Sequence, residues 1–363
     1  MRKITWILFV FLMACVDPLG VKLLTSDRRL VVDGIITNLP GPYRVKLFYS
    51  NKLSATTLVP FEAVVLAQVT VFDDMNNKYN LTEVTPGVYE TNANEFTGEI
   101  GRSYYLEIRT QQEEVYQSTI QQMTEPGAID NLYFEFEKES VFDNGKLVDG
   151  LKVYIDSKGV PGGDNLFRWR WTTIHKTKSN PELQTRSTPA GDIPIPPICS
   201  GYIAQGRQVI RIGDCTCCIC WSYNYSSAAN VSSGELVSNY KFNKQYLGLI
   251  PVTSMHFFDR YHIEVQQVGL SEEAYTFWNL IGKQQVGSAN LFQPNAIKVR
   301  GNIRSITNPD DEVLGFFGVS GVATRSLYVQ ESLVPYELPP LDQVNYSCLS
   351  YFTNATTEKP LFW

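Results

Sequence analysis

Short runs in which apolar and polar side chains alternate strictly, each ended by a turn, constrain this chain more than any other feature. Tyr43, Val45, Leu47 and Tyr49 alternate with Arg44 and Lys46, and Tyr261, Ile263 and Val265 alternate with His262, Glu264 and Gln266. A period of two is the repeat of a half-buried strand, whose successive side chains leave opposite faces. Arg29 to Ile36 and Val64 to Phe72 read as further strands, and Leu39-Pro40-Gly41-Pro42 and Asp73 to Asn77 as turns. Two Gly-to-Tyr phrases follow, Pro86 to Tyr89 and Gly101 to Ile108. A tyrosine placed this way beside a tight turn closes a sandwich corner. Strands at this spacing without a convincing helix predict a β-sandwich over residues 28–125.

Pro126-Gly127 is the expected boundary, and residues 126–363 are expected to form a larger β domain, a sandwich or a barrel-like sheet. Leu132 to Phe136 and Leu151 to Ile155 restart the strand pattern. Gly301 to Ile306 and Val313 to Val322, with Asn308-Pro309-Asp310-Asp311 between them, read as a hairpin. One helix is expected at about 271–285. Ser271 is a good N-cap, Glu272 and Glu273 put negative charge in the first turn, and Ala274, Phe277, Trp278 and Ile281 share one face. That face should pack on a sheet. The closing Phe362-Trp363 should dock back on the body.

Phe167, Trp169 and Trp171 alternate with Arg168 and Arg170, so one face of this strand is aromatic and the other cationic. The plain expectation puts the aromatics in the core and the arginines in solvent. The sharper one makes the three rings a binding platform for a sugar or peptide.

Residues 176–240 differ in character, being rich in Pro, Ser, Asn and Gly, and they hold Cys199, Cys215, Cys217, Cys218 and Cys220. With Cys348 these make six cysteines, an even set that reads as disulfides in an exported chain and permits 15 pairings. If 215–220 is extended, Cys215 and Cys217 face one way and Cys218 and Cys220 the other. The alternative, four thiolates on a metal ion, is disfavoured by an oxidising compartment.

Export follows from the N-terminus. Arg2 and Lys3 precede an apolar run from Ile4 to Met13, and Ala14 then sits directly before Cys15. The run is about half the ~20 residues a helix needs to cross a bilayer, so it reads as a signal peptide over 1–14 ending in a lipobox. Cys15 is then the lipidated residue, and 15–27 a tether. Several acyl chains hold a protein at a membrane where one would be marginal. Loss of Arg2 and Lys3 leaves 29 basic against 37 acidic residues, a net charge of −8. Such a surface repels nucleic acid.

Catalytic patterns are absent from the sequence. His175, His256 and His262 form no His-Glu-x-x-His unit, and no phosphate loop or dinucleotide fingerprint occurs, so neither a cofactor nor a metal is expected. His256 and His262 share strand parity but would lie about 20 Å apart on one strand. Asp73/Asp74 and Asp310/Asp311 are expected to be solvated turn carboxylates.

Taken in order, Cys15-Val16-Asp17-Pro18, Leu30 to Asn38, Gly87-Val88-Tyr89, Gly101 to Leu106, Cys220-Trp221, Tyr261 to Gln266, Leu270 to Trp278, Gly301-Asn302-Ile303, Val313 to Phe317 and Lys359 to Trp363 carry a family likeness. Over nearly its full length the chain resembles a family of Bacteroidota outer-membrane lipoproteins commonly encoded beside SusC-like TonB-dependent transporters. The resemblance implies an immunoglobulin- or transthyretin-like sandwich followed by a larger β domain, displayed on the outer membrane, with no catalytic residues. The chain departs from it by the extra Cys215, Cys217 and Cys218, and by Tyr351 where a second C-terminal cysteine often lies. The pairing expected with these departures is Cys199 with Cys220, and Cys348 with one of the other three.

The resulting expectation is a non-enzymatic surface lipoprotein that serves a SusC-like transporter in nutrient or polypeptide capture, the cell surface being favoured over the periplasmic face. A structural or adhesive envelope protein and a glycan-acting hydrolase with an unfamiliar site are the alternatives. A pocket gathering carboxylates from distant segments would speak for the last.

Overall fold

The computed structural model describes residues 28–50, 61–143, 145–232, 240–288 and 298–363. Cys15 and the tether lie outside the described residues. The fold is mainly β. Nine strands come from the first third of the chain: β1 (Leu30–Thr37), β2 (Arg44–Ser50), β3 (Phe61–Ala63), β4 (Gln68–Asp73), β5 (Lys78–Thr85), β6 (Val88–Glu90), β7 (Ser103–Arg109), β8 (Val115–Ser118) and β9 (Gln121–Gln122). Val45 and Leu47 of β2, like Tyr104, Leu106 and Ile108 of β7, point into one core. The tyrosines do tie corners. Tyr89 Oη donates to the Val64 carbonyl at 2.8 Å, and Tyr104 Oη accepts from the Glu99 amide at 3.0 Å.

The middle of the chain supplies β10 (Ala128–Asp143), β11 (Lys146–Lys158), β12 (Phe167–Lys178), β13 (Thr185–Arg186), β14 (Ile193–Pro194), β15 (Tyr202–Gln205), β16 (Gln208–Arg211), β17 (Ile219–Tyr225), β18 (Lys241–Pro251) and β19 (Arg260–Gly269). Then come α1 (Glu272–Ser288), β20 (Ile303–Ser305), β21 (Leu314–Ser320), β22 (Val322–Gln330), α2 (Cys348–Tyr351) and β23 (Ala355–Thr356). A three-stranded sheet, β10-β11-β18, faces a five-stranded one, β22-β19-β12-β17-β23. Between them lies a second core with Leu151 and Ile155 from one sheet and Trp169, Ile263 and Val265 from the other.

β20 and β21 do not form the expected hairpin. β20 pairs with β8 antiparallel, whereas β21 pairs with β1 in parallel, Val31 opposite Leu314 through Thr37 opposite Ser320. They are the two ends of the first sheet, in the order β20-β8-β7-β4-β5-β6-β2-β1-β21, which makes that sheet a nearly closed barrel. Asn302 bridges the gap. Its amide donates to the Phe317 carbonyl at 2.8 Å and accepts from the Phe317 amide at 2.9 Å, replacing one rung of a strand ladder. A parallel partner needs a long crossover, so residues distant in sequence supply it. Local turn residues between 306 and 313 could not reveal that choice.

α1 starts where the cap predicts, with Ser271 Oγ accepting from the Ala274 amide at 3.2 Å. Phe277 packs on Phe316 of β21 at 4.9 Å between ring centroids. This third apolar cluster, with Val268, Leu270 and Ile35, joins the barrel to the sandwich. The C-terminus docks as expected: Tyr328 Oη donates to the Phe362 carbonyl at 2.8 Å, and Trp363 meets Trp221 edge-on. Asp73, expected in solvent, is only 5% exposed. It accepts from the amides of Met75 and Asn77 and from Arg102, each at 2.9 Å, so it organises the turn from within.

Candidate functional site

The six cysteines meet as Cys199–Cys217, Cys215–Cys218 and Cys220–Cys348, with Cα separations of 5.6, 5.7 and 5.9 Å. The expected partner of Cys199 is therefore corrected from Cys220 to Cys217, and that of Cys348 from one of Cys215, Cys217 and Cys218 to Cys220. The segment before Ile219 bends instead of continuing the strand, so Cys215 and Cys218 come back on each other and the alternating-face argument fails there. Cys220 lies in β17, and the adjoining backbone is locked to α2, whose Cys348 amide donates to the Cys217 carbonyl at 3.2 Å. Cys199–Cys217 closes the loop that carries the β15-β16 hairpin, and Cys220–Cys348 fastens the C-terminal segment to β17, beside the edge strand β23.

β12 is the strand on which the remaining predicted residues sit. Its aromatic face turns inward. Phe167 and Trp169 are 1% and 0% exposed, and both lie edge-on to Phe242. Trp169 Nε1 donates to Gln267 Oε1 at 2.7 Å, which satisfies the one polar atom this burial would otherwise strand. Trp171 is half-buried on the same side, its indole N–H donating to the Leu247 carbonyl at 3.2 Å. These rings form no surface platform.

The expectation for the arginines is overturned. Arg168 and Arg170 are half-buried instead of standing free in solvent, because the barrel covers that face of β12. They enter a cleft of about 510 Å³ walled by β1 and β21 on one side, β12 and β19 on the other, and α1 at the end. The Arg168 guanidinium lies 3.4 Å over the Trp278 ring centroid, and its Nε is buried without a hydrogen-bond partner. Burial, with the neighbouring Arg170 charge, lowers the Arg168 pKa to about 10. Burial also pulls Arg170 down, against Asp33 and Glu264. Arg170 Nε donates to Gln266 Oε1 at 2.6 Å, and Gln266 donates in turn to Glu264 Oε1 at 3.1 Å. Among the described residues neither arginine has a carboxylate within ion-pair distance. Arg-x-Arg on one strand face was readable in the sequence; what covers that face was not.

A second cleft, about 850 Å³, is walled by β10 and β11, the turn after β18 and the C-terminal segment around α2. Glu139, Asp143, Asp149 and Asp342 line it together with His175 and His256. The histidine pairing differs from the parity argument. β19 begins only at Arg260, so His256 sits in the preceding turn, 4.7 Å from the His175 ring, while His262 packs on Tyr328 and Phe362. Burial, then the nearby His256, push His175 down to about 3; burial likewise lowers His256 against the pull of Asp143. Burial thus favours the neutral form of both imidazoles. Among the described residues no group of three His, Cys, Asp or Glu side chains is arranged to hold a metal, and no helix is long and apolar enough to cross a membrane.

The chain belongs to the family described as a domain of unknown function, DUF4249, whose pattern matches residues 16–326. No curated protein and no solved structure matches it.

Proposed function

We propose that this DUF4249 member is a non-enzymatic, lipid-anchored binding protein of the outer membrane, held through Cys15 and serving a SusC-like TonB-dependent transporter. The cleft behind Arg168 and Arg170 carries the binding part of this reading. It is a preformed cavity of small-molecule size, apolar on several sides, with a few oriented charged groups. The lipobox sequence supports the anchor, and the three disulfides suit an oxidising compartment. Surface display is the favoured orientation. The test is capture of the full-length protein from outer membranes in mild detergent. A SusC-like barrel should co-purify. Repeated recovery of the lipoprotein alone, with uptake unchanged in a deletion strain, would reject the transporter role, and envelope defects in that strain would favour the structural or adhesive alternative. Protease shaving of intact cells reads the leaflet.

One observation favours a second reading. The larger cleft gathers carboxylates from residues 139–149 and from 342, the convergence a glycan hydrolase requires. Release of reducing ends from a polysaccharide panel, lost in Asp143→Asn or Asp149→Asn, would support it.

A further inference from the structure

We infer that the cleft between the barrel and the sandwich binds a carboxylate carried on a flat apolar body, gripped by Arg168 and Arg170 and packed against Trp278. The inference rests on the reading of that cleft as a binding site and names the chemistry of its ligand.

The argument begins with what is left unpaired. A guanidinium withdrawn from water costs several kcal/mol unless its N–H groups and its charge are answered. Arg168 is answered only on its face. Cation–π contact with Trp278 occupies the plane of the guanidinium and leaves its N–H edge unengaged, and among the described residues the Arg168 side chain donates no hydrogen bond. Arg170 commits one donor, Nε, to Gln266, and among the described residues its remaining side-chain donors have no acceptor. The two side chains leave the same face of β12, about 6.6 Å apart along the strand, so like charges are concentrated where burial already disfavours them. Asp33 and Glu264 favour both or one of these charges from beyond ion-pair distance; Asp33 is exposed and the Glu264 carboxylate is engaged by Gln266. Planar N–H edges of this kind match a carboxylate, which can accept two parallel bonds.

The rest of the wall sets the body of the ligand. Ile35 and the part of Trp278 not covered by the Arg168 guanidinium are the half-buried apolar surfaces of this cavity, backed by the buried Val268, Leu270 and Phe316. A group that answered only the charge, such as free phosphate, would leave that surface wet. One carrying an aromatic or aliphatic plate would cover it.

Benzoate, benzamide and inorganic phosphate are the probes, titrated into the full-length protein in detergent while tryptophan fluorescence and heat are recorded. Benzoate should bind saturably, with neutral benzamide and phosphate each at least tenfold weaker. Equal binding of benzamide, tighter binding of phosphate, or no binding of benzoate overturns the inference. Arg170→Gln should weaken benzoate at least tenfold while Arg170→Lys recovers part of the loss; an unchanged affinity in Arg170→Gln also overturns it. Should that variant fail to fold, the benzoate-to-benzamide ratio on the unaltered chain still decides. The outcome is independent of transporter capture, so each reading can fail alone.

Discussion

Removing the Cys220–Cys348 bridge is the perturbation with the largest calculable effect. A cross-link restricts the unfolded chain, and the loop-closure cost it removes grows with the logarithm of the loop. The bridged residues are separated by 128 positions, against 18 for Cys199–Cys217 and 3 for Cys215–Cys218. The chain-entropy relation then gives about 5, 3 and 2 kcal/mol respectively. Cys220 and Cys348 are both 0% exposed, so truncation also leaves a cavity, adding roughly 1 kcal/mol per buried sulfur. Cys220→Ala/Cys348→Ala should therefore lose about 5–7 kcal/mol. With a urea m-value of about 3 kcal/mol/M, its midpoint falls by roughly 2 M. Cys215→Ala/Cys218→Ala should fall by less than half of that. Thiol titration of the denatured proteins fixes the connectivity at the same time. The Cys220/Cys348 double variant should gain no free thiol, whereas Cys199→Ala/Cys220→Ala should gain two, from Cys217 and Cys348. A Cys220/Cys348 variant that unfolds with, or after, the Cys215/Cys218 variant would refute the reasoning.

Asp73→Ala should destabilise the barrel by about 1–3 kcal/mol, because it strips the acceptor that the turn amides of Met75 and Asn77 and the Arg102 guanidinium share. Burial raises the Asp73 carboxyl, but its bonds from Asn77, Met75 and Tyr79 outweigh that and leave it below the usual range. Its contribution is thus present above the unfolded carboxylate pKa and lost as pH falls through the lowered one, and chemical denaturation between pH 5 and 2 should show the wild-type slope shrink in the variant. His175 acts in a higher window. Its folded pKa of about 3 lies below the unfolded value, so between about pH 6.5 and 3 the unfolded state binds more protons and stability falls by about 1.4 kcal/mol per unit as pH drops. His175→Phe, which keeps the stack on Tyr261, should flatten that slope in denaturation curves; an unaltered slope refutes the assignment. Gly301→Ala places a methyl group against the Gly315 carbonyl beside the Asn302 bridge, and a thermal midpoint within 1 °C of wild type would contradict the closure described for the barrel.

Strand existence and helix position were legible because both depend on local periodicity. Val45, Leu47, Ile263 and Val265 alternate whatever they pack against, and Ser271 caps its helix with atoms three residues away. Disulfide availability was likewise a matter of counting. Partners were not legible. Whether β21 lies beside β20 or beside β1, whether Cys199 meets Cys217 or Cys220, and whether Arg168 faces water or Trp278 are settled by contacts between segments far apart in sequence. Alternation says that two faces of β12 differ in chemistry, and the sequence alone determined that much. Which face the barrel would cover was decided only when the whole chain closed. The hydrophobic contact of Ile35 and Phe316 with α1 and Leu270 drives that closure, and the two arginines are carried under it.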